Sequence, residues 1–208
     1  MNLKGLTLAG VAAAGGGTAV TYGIVKSQSD TKSVAQRLRD EGFELLSSVS
    51  PQETLNKVLE VYKKLPENKD KNLSTTDLLN MCNDIVKKDH DNDGDYKKSR
   101  RFCVVPKLVS DSPKLKGKTI LKNGESDEND KADWENLKTK YMVEANSQKR
   151  ISGLSSLTGS NGDAWKALRN ECKKVLEKDS TDENYDQLID ESLTWCVKDA
   201  EGFKLANQ

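Results

Sequence analysis

The chain has 208 residues, 32% of them charged, with Lys+Arg and Asp+Glu equal at 33 each and aromatics at only 5%. Zero net charge excludes a general electrostatic pull towards nucleic acid or an anionic membrane. With one histidine, His90, no Ser-His-Asp or Cys-His arrangement can be built elsewhere, so the chain reads as a non-enzyme without a cofactor.

The first element is the least typical of the chain. Gly5 to Val25 is a run of 21 uncharged residues between Lys4 and Lys26, close to the ~20 a helix needs to cross a bilayer. Its six glycines and five alanines leave Leu6, Leu8, Val11, Val20, Ile24 and Val25 as the strongly apolar positions. Residues 1–26 are therefore expected to be a transmembrane anchor. A cleaved signal peptide is the alternative, with Lys4 as its basic start and Ala12-Ala13-Ala14 as its cleavage site. The third reading is a Gly/Ala tail on a cytosolic protein. A signal-type layout exports the rest of the chain, whereas Lys26, Lys32, Arg37 and Arg39 downstream favour the opposite topology by the positive-inside count. The expected location is the cell membrane, with the soluble part outside.

Few prolines and few β-branched runs make the remainder mainly α. Helices are expected over 32–48, 53–66, 75–88, 131–147, 163–178 and 184–203. Leu55, Val58, Leu59, Tyr62 and Leu65 share one helical stripe, as do Leu78, Leu79, Cys82, Ile85 and Val86. Trp165, Leu168, Cys172, Val175 and Leu176 make a third, and Leu188, Ile189, Ser192, Trp195, Cys196 and Phe203 a fourth. Ser50-Pro51 with Glu53 and Ser74-Thr75-Thr76-Asp77 carry helix-start chemistry.

Self-comparison finds a duplication. Residues 81–89 align with 171–179, and each block runs through an acidic loop and a tyrosine (Tyr96, Tyr185) to an aromatic-cysteine-valine triplet, Phe102-Cys103-Val104 or Trp195-Cys196-Val197. Upstream, Val34, Gly42, Leu45 and Leu46 match Val109, Gly117, Ile120 and Leu121 at a constant offset of 75. The expected architecture is an N-terminal hydrophobic helix followed by two duplicated helical-hairpin modules, 27–105 and 106–208. If the chain is exported, Cys82–Cys103 and Cys172–Cys196 are the natural disulfides among three connectivities. The other reading is four reduced cysteines packed as small hydrophobes.

The Gly/Ala-rich N-terminus, the helical repeat ending in an aromatic-cysteine pair and the length resemble a paralogous family of small proteins from haemotropic mycoplasmas. The resemblance implies a mycoplasma cell-envelope setting and surface display with antigenic diversity. It implies no activity and brings no catalytic residues.

Two further motifs are weighed against simpler readings. Asp89, Asp91, Asp93 and Asp95 with Gly94 match the first half of an EF-hand loop, making a calcium module the alternative function. Tyr96, Lys97 and Arg100 fall at positions 8, 9 and 12, and Arg100 replaces the bidentate glutamate, so a solvated acidic turn is preferred. Gly117-Lys118-Thr119 ends like a phosphate-binding loop, but Ser112 stands where the first glycine belongs. Without a C-x₂-C pair, zinc is not expected. The expected function is a membrane-anchored or exported structural and interaction protein. Its partners would be the membrane, through residues 5–25, and a cell-surface or host protein, with no nucleic acid.

Overall fold

The computed structural model describes residues 32–157 and 163–205. The expected anchor, 1–26, lies outside the described residues. Among the described residues the chain is mainly helical, with α1 (Val34–Asp40), α2 (Gln52–Lys63), α3 (Thr75–Ile85), α4 (Asp93–Phe102), α5 (Lys131–Met142), α6 (Ala164–Leu176) and α7 (Tyr185–Trp195). None of these helices is long and apolar enough to cross a membrane. Short 3₁₀ turns fill the connections, including Val109–Asp111, Pro113–Leu115, Glu144–Lys149 and Glu201–Lys204.

Local chemistry explains most helix ends. Ser33 caps α1 by accepting from the Gln36 N–H, and α1 stops at Asp40 because Gly42 turns the chain with φ +77°. The helix expected over 32–48 is thus cut short. Ser74 and Asp77 form a reciprocal capping box at the start of α3. Pro66 begins a 3₁₀ turn after α2, and the expected helix over 184–203 ends at Trp195, beyond which Glu201–Lys204 is a separate turn.

Helix α4 begins inside the expected acidic turn, at Asp93, and runs on to Phe102, where no helix was expected. Asn92 caps it by accepting from the Asp95 N–H. Asp93 and Asp95 sit in its first turn and Arg100 and Arg101 in its last, each sign placed where the helix dipole favours it. Its buried face is polar as well as apolar, with Tyr96, Ser99, Arg100 and Phe102, so hydrophobic periodicity alone does not mark it.

Among the described residues, four isolated antiparallel bridges join distant segments: Ser33 with Asp89, Leu45 with Val104, Leu108 with Asp179, and Ile120 with Val197. Around them Val34 N–H donates to Lys88 and Leu46 N–H to Cys103, while Val109 N–H donates to Lys178 and Leu121 N–H to Cys196, all at 2.8–2.9 Å. Two disulfides lie beside these bridges. Cys82–Cys103 ties α3 to the end of α4, with Cα atoms 5.3 Å apart, and Cys172–Cys196 ties α6 to the end of α7 at 5.6 Å.

The core has two parts. The smaller draws only on the first half, including Leu55, Val58, Tyr62, Leu78, Ile85 and Phe102. The larger gathers Trp134, Tyr141, Trp165 and Trp195 from the second half together with Val34, Leu38, Phe43, Tyr96 and Val104 from the first. All three tryptophans are fully buried. The two halves therefore share a core, and their described residues fall in one compact unit.

Candidate functional site

The seam between the halves is where the structure concentrates charge against aromatic rings. Helix α4 presents Tyr96 and Arg100 towards Tyr185 and Asp186 at the start of α7. The Arg100 guanidinium lies 5.6 Å from the Tyr96 ring centre and 5.4 Å from that of Tyr185, and donates to the Asp186 carboxylate. Arg100 is almost fully buried, and its Nε–H has no acceptor among the described residues. Such a buried donor costs about 1–3 kcal/mol unless something satisfies it.

Tyr96 is held from both sides. Arg37 of α1 stacks 3.6 Å from its ring centre, and its hydroxyl donates to Glu41. Burial, reinforced by that carboxylate, pushes the Tyr96 phenol up to about 12. Burial also pushes the Tyr185 phenol upward, and its hydroxyl donates to the Leu108 carbonyl. Tyr96 is the fourth residue of α4 whereas Tyr185 is the first of α7. The two tyrosines paired by self-comparison thus hold different helix positions and instead flank the same arginine.

Together these side chains line a cleft of about 470 Å³, with Phe43, Pro113 and Ile189 supplying apolar wall. A second hollow of about 410 Å³ continues from it past Lys98, Arg101 and Glu183, sharing Lys97, Arg100 and Asp186. Arg37 is paired here with Glu41 and Asp93, and Arg100 with Asp186, while Lys97 has no ion-pair partner among the described residues.

The acidic motif takes a different form from the loop its spacing suggests. Asp89, His90 and Asp91 bring one ligand atom each within 4.8 Å of one another. Asp89 accepts from the Asp91 N–H and from the His90 ring, which holds its carboxyl below the usual range. Asp93 and Asp95 instead belong to α4, where Asp93 pairs with Arg37 at 3.4 Å and Asp95 with Lys88 at 3.1 Å. An EF-hand needs twelve loop residues before its second helix is well under way. Here the helix starts at the fifth, so the four aspartates do not converge.

Sequence reasoning did not mark the cleft: Arg37, Tyr96, Arg100 and Tyr185 figure there only in other roles, and Glu41 and Asp186 not at all. Only the acidic-first, basic-last pattern of residues 92–101 could have pointed to the helix that carries two of them. Compared with known proteins, the chain matches no family model, no curated protein and no solved structure.

Proposed function

We propose that the protein is an exported, membrane-tethered interaction module, non-catalytic, whose soluble part faces the oxidising side of the membrane. The observation that carries this reading is that all four cysteines are bonded in two short-range pairs, with no free thiol. Such bonds persist in exported proteins and are rare in the cytosol. The uncharged run from Gly5 to Val25 supplies the means of export and attachment. A cleaved signal would give the same disulfides on a secreted protein.

The same proposal takes 27–105 and 106–208 as two copies of one helical module. Matching bridges support it: Ser33 and Leu108 stand 75 residues apart, as do Leu45 and Ile120, and each partner lies just after α3 or α6, or just after α4 or α7. Gly42 and Gly117, also 75 apart, both turn the chain with positive φ. Asn68 and Asn146 each donate from the side chain to a carbonyl six residues back, Tyr62 and Lys140. With the resemblance to the mycoplasma family, this pattern favours surface display, with a cell-surface or host protein as partner.

The test is fractionation of cells making the full chain. Carbonate-washed membranes should retain it, and changing both Val11 and Val20 to Lys should release it, since a charge at a helix centre costs about 2.5–3.5 kcal/mol on insertion. Recovery of the unaltered chain wholly in the cytosol would end the proposal.

A further inference from the structure

We propose that the cleft between α4 and α7 binds a small ligand carrying one anionic group on a flat apolar body. Its volume, about 470 Å³, falls within the ~300–1,000 Å³ of small-molecule sites. Its walls combine rings and aliphatic surface from both halves, with Phe43 meeting Tyr185 edge-on at 6.5 Å. An apolar body a ring or two wide would lie against these surfaces.

The charge pattern selects the other end of the ligand. Every lining acid is engaged: Glu41 by Tyr96 and Arg37, Asp93 by Arg37, and Asp186 by Arg100. Lys114 pairs with Asp190 at 3.3 Å, but both side chains are exposed and easily exchanged. Lys97 is exposed and, among the described residues, has no ion-pair partner, which leaves the lining with one uncompensated positive charge in a chain of zero net charge. Arg100 adds its buried, acceptor-less Nε–H. An anionic oxygen in the cleft would pair with Lys97, and a small shift of the Arg100 side chain would let its Nε–H, closed to solvent in this structure, donate to it as well. Every lining residue lies between Arg37 and Ile189, outside the uncharged run, so the site stands or falls separately from the membrane reading.

The test uses the full-length chain with ¹³C-labelled tyrosine rings, titrated with benzoate, phenyl phosphate and, as the neutral control, benzyl alcohol. The Tyr185→Phe variant assigns the ring signals. Either anion should shift the Tyr96 and Tyr185 signals saturably, with benzyl alcohol about fivefold weaker or worse. A preference for benzoate would identify a carboxylate ligand, and one for phenyl phosphate a phosphate ester. Lys97→Glu, at an exposed position, should weaken the anions by about fivefold and leave benzyl alcohol unchanged. The proposal is overturned if no probe saturates by about 10 mM, if the neutral probe binds as well as the anions, or if Lys97→Glu changes nothing.

Discussion

Lys57 on α2 reaches the Asp179 carboxylate at 2.6 Å, joining the first half of the chain to the loop that precedes α7 in the second. Asp179 also accepts from the Thr181 hydroxyl and N–H. Burial alone would raise this carboxyl, but Lys57 and Thr181 outweigh it and hold its pKa below the usual value. A lowered folded pKa means the contribution is present above the unfolded value of about 3.9 and is lost as pH falls through the folded one. Denaturant titrations of Asp179→Ala should show a loss of about 1–2 kcal/mol at neutral pH that shrinks below pH ~4. An unchanged difference at low pH would contradict this.

The tyrosines set the opposite limit. Burial pushes Tyr96 and Tyr141 up to about 12. A raised folded pKa gives stability that is complete below the unfolded value of about 10 and is lost as pH rises towards 12. Tyrosinate absorbance at 295 nm should therefore lag a simple titration, and the last phenols should ionise together with loss of helical circular dichroism.

Gly202 is a packing requirement. A Cβ there would lie 2.6 Å from the Thr194 carbonyl oxygen, 2.8 Å from the Trp195 ring and 2.9 Å from Leu137. The backbone oxygen cannot swing aside as a side chain can. Gly202→Ala should cost about 1–3 kcal/mol in denaturant unfolding and alter Trp195 fluorescence.

Calcium titration of the full chain should show no tight, saturable binding. Residues 93–102 are helical, and Asp93 and Asp95 are paired with Arg37 and Lys88. A micromolar constant lost on Asp89→Ala would reverse that expectation.

How much of the fold was legible in the sequence depended on where the information lies. Helix α3 was plain, because Ser74 and Asp77 cap it and Leu78, Cys82 and Ile85 form its buried stripe. The cysteine pairing was less plain: short loops of 21 and 24 residues favoured it among three connectivities, but only if the chain is exported, and four reduced cysteines stayed open. Helix α4 escaped because Arg100 and Ser99 occupy its buried face, and the partner of Arg100 is as distant in the chain as Asp186. The shared core was hidden for the same reason: Val34, Leu38 and Phe43 look like one module's own apolar residues, yet they pack with the second half. The cleft is a product of that packing.

The most direct test of the exported, disulfide-bonded reading is peptide mapping of the native protein, alkylated on lysis and digested without reductant. The account predicts two linked peptide pairs, Cys82 with Cys103 and Cys172 with Cys196, and no alkylated cysteine. Reducing both should cost about 3 kcal/mol for each loop. Four alkylated thiols in the native protein, or a link between Cys82 and Cys172, would contradict it.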